Sequence, residues 1–287
     1  MTKRIGVHLG TAGGASNAVL RAHEIGANTF QFFSSSPRMW RAPKPDPAQC
    51  KRMRELRAQY DIGPLVIHTS YLVNVCSQTE AVRRNSIAAF RGEMERALAF
   101  GAEYLVLHPG SWKGLTRDEG LKLAAESIER AIDGLPWRDA DFTILIENTA
   151  GAECSLGGSF DQVAELVALL RNHAPVAVCL DTCHTHVSGY DIVSEAGYSE
   201  TMRQIATTVG FDSVRVWHCN DAKAARGSRL DRHEHIGQGT IGNEPFRRLL
   251  NEPRFAHAAF IAETPVDDDG DEERNVKVLK SLVARPT

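Results

Sequence analysis

The sequence predicts one α/β domain over residues 1–287, a (β/α)8 barrel of the TIM type with its site at the C-terminal face of the strands. Three observations carry this. Eight short apolar, β-branched runs start roughly 25 to 45 residues apart, the spacing of βα units whose strands are buried on both faces. The segments between them have helical period, and no Pro/Gly/Ser-rich linker divides the chain.

Taken in order, the expected strands are Ile5–Leu9, Thr29–Phe33, Leu65–His68, Tyr104–His108, Phe142–Glu147, Val176–Asp181, Val214–His218 and Phe260–Glu263. Before the fourth strand, Ile87, Phe90, Met94, Ala97 and Leu98 form one helical stripe; before the sixth, Phe160, Val163, Val167 and Leu170 form another. Two helix starts carry the spelling of a capping box, Thr116 with Glu119 and Ser159 with Gln162. The acidic run Asp267–Glu273 leads into a last helix reaching Lys280. Asp271, Glu272 and Glu273 suit its first turn, where backbone N–H groups leave partial positive charge.

Composition narrows the class of partner. A hydrophobic fraction of 43% and a charged fraction of 24% describe a globular chain with a sizeable core. The formal charge of −3 supplies no global positive field, so a nucleic-acid partner would need a local basic face. The six cysteines form no CxxC pair, which points to reduced thiols and a cytoplasmic protein. No run approaches the length of a membrane span and the N-terminus lacks the apolar core of a signal peptide, so no membrane partner is expected.

The ends of the expected strands hold the chemistry. His68, His108, Glu147, Asp181, His218 and Glu263 close six consecutive strands, and His184, Asp231 and His233 lie just beyond. One such residue alone is more often a hydrogen-bonded structural group. Six at the same station of the fold are a different matter. Nine nitrogen and oxygen donors exceed what one ion accepts, so the set suits two or three ions with at least one bridging carboxylate. Mixed imidazole and carboxylate favours zinc, then manganese. Cys183 and Cys219 sit beside these residues, and their thiols are expected to face the barrel wall.

Three divalent ions against four carboxylates leave about two positive charges, which would attract an anion. Lys223, Arg226, Arg229 and Arg232 recur through the same stretch, and Arg38, Arg41 and Lys44 follow the second strand. Such groups suit phosphate. Trp40, Tyr71, Leu72 and Trp112 belong to the same rim, where they either pack over the barrel or wedge into a base stack.

The strings HTSYLVN (His68–Asn74), LHPGS (Leu107–Ser111), IENTAG (Ile146–Gly151), LDTCHTHVSGYD (Leu180–Asp191), HCNDAK (His218–Lys223) and GSRLDRHEHIGQGTIG (Gly227–Gly242) resemble the endonuclease IV family of apurinic/apyrimidinic endonucleases, in the family's order and over essentially the whole chain. The resemblance implies three zinc ions. His68, His108 and Glu147 would hold one; Glu147 would bridge to a second completed by Asp181, His218 and Glu263; and His184, Asp231 and His233 would hold the third, with manganese as the alternative there. Arg38, Tyr71 and Leu72 match positions that enter the DNA, while Thr69, Met39 and Ala222 depart from the family's usual residues.

The implied activity is cleavage of duplex DNA 5′ to an abasic site, leaving a 3′-hydroxyl and a 5′ deoxyribose phosphate, with removal of 3′-blocking groups, by a trinuclear zinc hydroxide mechanism. A monomer is expected, since one chain carries every part. Two other readings bear on the same residues. Glu147, Asp181, His218 and Glu263 alone resemble the single-metal set of barrel sugar isomerases and epimerases, which leaves the other five residues and the basic loop unused. A non-catalytic lesion-binding module would have no use for a hydrolytic metal site.

Overall fold

A computed structural model describes residues 2–284. Eight parallel strands close a barrel: β1 (Arg4–His8), β2 (Thr29–Phe33), β3 (Leu65–His68), β4 (Tyr104–Leu107), β5 (Thr143–Glu147), β6 (Val176–Asp181), β7 (Val214–His218) and β10 (Ala259–Ala262). They run round the barrel in chain order, and β10 closes it on β1. The helices outside are α1 (Asn17–Glu24), α2 (Pro47–Tyr60), α3 (Glu80–Phe100), α4 (Arg117–Ile132), α5 (Phe160–Leu170), α6 (Thr182–Ser188), α7 (Glu195–Thr207), α8 (Asn243–Leu250) and α9 (Asp271–Leu282).

Two apolar layers form because successive side chains of a strand point to opposite faces. The outward residues, such as Phe30 and Phe32 of β2 and Ile144 and Ile146 of β5, pack under the helices in one continuous cluster. The inward residues make a smaller cluster inside the barrel: Val66, Val106, Leu145, Ala177, Cys179, Val216, Ala259 and Ile261. Two residues further along each of these strands comes the next inward position, and there stand His68, His108, Glu147, Asp181, His218 and Glu263. The apolar plug thus forms the floor beneath six polar side chains, and strand pleat sets their direction.

Element edges differ slightly from expectation. Strands β4 and β10 stop at Leu107 and Ala262, so His108 and Glu263 sit one residue past the ladder; β1 ends at His8 and β5 starts at Thr143. The box at Thr116 is reciprocal with Glu119, as expected. At α5 only half of it exists. The Ser159 hydroxyl accepts from the Gln162 amide, but the Gln162 side chain turns away to accept from Gly157 and Gly158 N–H. Those two amides end the loop from β5, and they compete successfully for the Gln162 oxygen. Helix α9 has Asp271, Glu272 and Glu273 in its first turn.

The loops above the barrel are held by polar side chains, half-buried at Asn74 and fully buried at Asp221. Asn74, after β3, accepts from Ser111 N–H at 3.1 Å and donates to Ser111 C=O at 3.2 Å, which ties the β3 loop to the turn that follows β4. Gly110 in that turn has φ +99°, and a Cβ there would fall 2.8 Å from the Asn74 Cα, so only glycine fits. A ribbon of β8 (Asp221–Ala222) and β9 (His233–Glu234) brings Asp231 and His233 back over the mouth. Asp221 is fully buried and accepts from the N–H groups of Ala222, Gly237, Ile241 and Gly242 at 2.8–3.1 Å. Asp221→Ala should therefore cost roughly 3 kcal/mol or more, since several buried amides lose a charged acceptor. Urea unfolding measures this, and a wild-type midpoint would contradict the assignment.

Candidate metal centre

Glu147 ends β5 at the middle of the polar layer, fully buried. Its Oε2 lies 2.7 Å from His108 Nε2 and 3.1 Å from His68 Nε2; its Oε1 lies 2.8 Å from His218 Nδ1 and 3.5 Å from His184 Nδ1. On the β10 side, His218 Nδ1 is 3.1 Å from Glu263 Oε2. Toward the ribbon, His184 Nε2 and His233 Nε2 stand 3.1 and 3.2 Å from the two oxygens of Asp231. His184 is placed by the strand before it: Asp181 caps α6 by accepting from His184 N–H at 2.8 Å.

The donor atoms fall into overlapping groups whose members lie within 4.8 Å of one another: His68, His108 and Glu147; Glu147, Asp181, His218 and Glu263; and His184, Asp231 and His233. All nine sequence candidates are therefore brought together, with Glu147 common to two groups. Cys179 and Cys183 also come within reach of such groups. Burial pushes both thiols up, away from the thiolate that binds metal. Cys219 is buried, with its thiol on the Trp217 carbonyl.

The electrostatics of the layer favour positive charge. Burial works to raise the Glu147 carboxyl, but His108 and His218 outweigh it and hold it well below the usual range. Asp231 is held low in the same way, burial being overcome by the imidazoles of His184 and His233 beside it. Burial would lower His218 and His233, yet neighbouring carboxylates, led by Glu263 for His218 and Asp231 for His233, lift both to about 9. Among these carboxylates an imidazole either carries a proton or faces another cation.

The geometry fits a metal better than a proton. Three histidines have their remote nitrogen on a backbone carbonyl: His68 Nδ1 on Thr69 O at 2.8 Å, His184 Nδ1 on Asn148 O at 2.9 Å, and His233 Nδ1 on Glu263 O at 2.9 Å. A carbonyl only accepts, so each Nδ1 carries hydrogen and each Nε2 can present a lone pair to the carboxylates. The Nε2 atoms of His184 and His233 are buried without a hydrogen-bond partner, although Asp231 is close, because the angles are wrong for N–H···O. Lone pairs converging at these separations are what a cation between them needs.

Four further residues were not singled out from the sequence. Asn148 Oδ1 accepts from Asp181 N–H at 2.7 Å; Asn220 donates to Asp181 Oδ2 at 2.5 Å and accepts from Glu263 N–H at 2.6 Å. Gln31 and His8 occupy the same inward layer on the two strands that offer no candidate ligand. Adjacency to Glu147 and His218 was the available signal for the asparagines, and strand parity for the other pair.

A cavity of about 380 Å³ opens over the centre, lined by His68, His108, Asp231, His233, Glu263 and Tyr71 among others. Tyr71 is 72% exposed, with its ring edge-on to Phe33 at 5.1 Å. Leu72 is half-buried and Arg38 exposed. Lys223, Arg226, Arg229 and Arg232 are exposed and stand outside the residues that line the cavity. Two have acidic partners, Arg226 on Asp191 at 2.7 Å and Lys223 near Glu234 at 3.8 Å. Arg232 donates to the Asp231 carbonyl at 2.6 Å, and Arg229 takes a left-handed turn at φ 59°. No helix among the described residues is long and apolar enough to cross a membrane.

Comparison with known proteins matches residues 19–282 to the family model described as xylose isomerase-like TIM barrel. A protein named "Probable endonuclease 4" from Solibacter usitatus (strain Ellin6076) is 49% identical over 97% of this chain and 96% of its own. Its namesake from Chloroflexus aurantiacus (strain ATCC 29366 / DSM 635 / J-10-fl) is 39% identical over 98% of each. The solved endonuclease IV from Thermus thermophilus superposes with a TM-score of 0.86 at 36% identity, covering 97% of this chain and 98% of that one. The barrel, the clustered donors at its mouth and these full-length likenesses together place the chain in the endonuclease IV family of AP endonucleases.

Proposed function

We propose that the chain hydrolyses the phosphodiester 5′ to an abasic site in duplex DNA, leaving a 3′-hydroxyl and a 5′ deoxyribose phosphate, and clears 3′-blocking groups in the same site. The observation that carries this reading is the convergence, in three groups, of nine imidazole and carboxylate donors, six of which line one open cavity while Glu147, Asp181 and His218 lie buried beneath it. In it, His68, His108 and Glu147 hold one zinc, Glu147 with Asp181, His218 and Glu263 a second, and His184, Asp231 and His233 a third, at which manganese is the alternative. Zinc ions there would polarise the phosphoryl oxygens, make bound water acidic enough to attack near neutral pH, and balance charge on the departing oxygen.

The protein's own part is placement and exclusion. Glu147 draws two groups of imidazoles to a common point, and the apolar plug closes the barrel beneath that point. Tyr71 stands at the cavity rim, where an extruded sugar lacking a base would meet it. Such a nucleotide costs least to unstack, which gives selectivity without a base-reading contact. Arg38 and the exposed Lys223, Arg226, Arg229 and Arg232 would run along the phosphates outside the cavity, with Tyr71 and Leu72 at the lesion. One chain carries all these parts, and the reading is of a monomer acting on DNA. A single-metal sugar isomerase would use only the Glu147, Asp181, His218 and Glu263 group, and would leave the other five donors without work.

Two results check the reading. Glu147→Gln should keep the fold and lose more than about 100-fold in cleavage of an abasic duplex, because loss of even an outer partner of a ligand costs 10–100-fold. Gel analysis of the ends measures both rate and products; near-wild-type turnover would remove Glu147 from the centre. Lys223→Gln with Arg229→Gln should weaken binding of any duplex evenly and lower the slope of log K against log salt by about two. An unchanged slope would take these side chains off the phosphates.

A further inference from the structure

We infer that Gln31 is a positioning residue that selects Nδ1 of His218 as the metal-facing nitrogen. This rests on the reading of the Glu147, Asp181, His218 and Glu263 group as a metal site. The starting observation is an exception. His68, His184 and His233 are each anchored through Nδ1 to a main-chain carbonyl and turn Nε2 toward the carboxylates. His218 is reversed: its Nδ1 faces Glu147 and Glu263, and its Nε2 faces the Gln31 side chain at 2.9 Å.

Gln31 is completely buried on β2, inward-facing, and both ends of its amide are engaged. Oε1 faces His218 Nε2; the amide nitrogen bonds Glu263 Oε1 and lies 3.0 Å from His8 Nδ1. The orientation of that amide follows from its neighbours. Glu263 is an acceptor only, so the NH2 end must face it, and the oxygen is left for His218. An amide oxygen only accepts, so His218 must carry its hydrogen on Nε2. Nδ1 is then the lone pair available beside Glu147 and Glu263. The same NH2 group holds the Glu263 carboxylate in place, so one side chain orients two members of one group.

Main-chain anchors persist whatever residue occupies their position. Gln31 does not, which makes this the part of the centre that a single substitution can release. On the same face of β2, Phe33 sets its ring against His8 and His68 without a polar atom, and Phe30 and Phe32 point outward under the helices, so Gln31 is the β2 side chain that hydrogen-bonds within the layer.

The first test uses the unaltered, zinc-loaded chain. Long-range ¹H–¹⁵N NMR of the imidazoles should show hydrogen on Nε2 of His218 and on Nδ1 of His68, His184 and His233, with the His218 signal assigned by its loss in His218→Ala. Hydrogen on Nδ1 of His218 would overturn the inference. The second test is dialysis of zinc-loaded protein against graded chelator. Gln31→Met, similar in length but without hydrogen bonds, should give up one ion at about 10–100-fold lower chelator activity than wild type, while the remaining ions are retained. Retention equal to wild type by the folded variant would overturn the role of Gln31 alone. Wild-type retention by His218→Ala as well would remove the metal site itself, and the inference with it. Should Gln31→Met fail to fold, the NMR result on the unaltered chain still decides.

Discussion

A carboxylate shut away from water must be met by positive charge or strong donors, and in this molecule that constraint falls on Glu147. It is fully buried, with four imidazole nitrogens from four other segments within 3.5 Å. Three of those histidines are fixed in turn: His68 and His184 by main-chain carbonyls, and His218 by Gln31. Removing any one leaves charge that the low-dielectric layer cannot screen. The barrel's mouth is organised to hold this buried carboxylate among imidazoles just beneath the cavity, and the donor chemistry follows from this need.

The barrel supplies that point through strand parity. An apolar inward layer closes the interior, and the next inward position on each strand lies at the level where the ladder ends. Six strands place a candidate ligand there; β1 and β2 place His8 and Gln31. Helix α6 adds His184 and the β8–β9 ribbon adds Asp231 and His233, which need tethering because no barrel ladder holds them. Asp181 caps α6, which carries His184, and Asp221 gathers four amides so that the ribbon and the glycine-rich turn after it keep Asp231 and His233 over the centre.

How much of this was legible depended on range. The eight strands, the outer helices and the six strand-end donors could be read because burial on both faces writes continuous apolar runs, and a polar residue closing such a run is conspicuous. Strand edges were off by one residue at β1, β4, β5 and β10, since ladder bonds end where a neighbouring strand ends and a single strand does not record that. The Ser159 and Gln162 spelling gave only half a box because two glycine amides nearby competed for the same oxygen. Gln31 was invisible for a related reason. In the run TFQFF it breaks an apolar strand without resembling a ligand, and only the register of β2 against β1 and β3 puts its amide between His218 and Glu263. The grouping of the nine donors is likewise tertiary: the order of the strands round the barrel, not their spacing in the chain, sets which imidazole meets which carboxylate.

A centre in which these nine side chains hold three ions, two of them sharing Glu147, is the proposed form of the site. Anomalous diffraction from crystals of the zinc-loaded protein, collected on both sides of the zinc absorption edge, tests it most directly. Three peaks are expected, one beside each donor group, two of them flanking Glu147. A lone peak within Glu147, Asp181, His218 and Glu263, with nothing beside His184, Asp231 and His233, would contradict it.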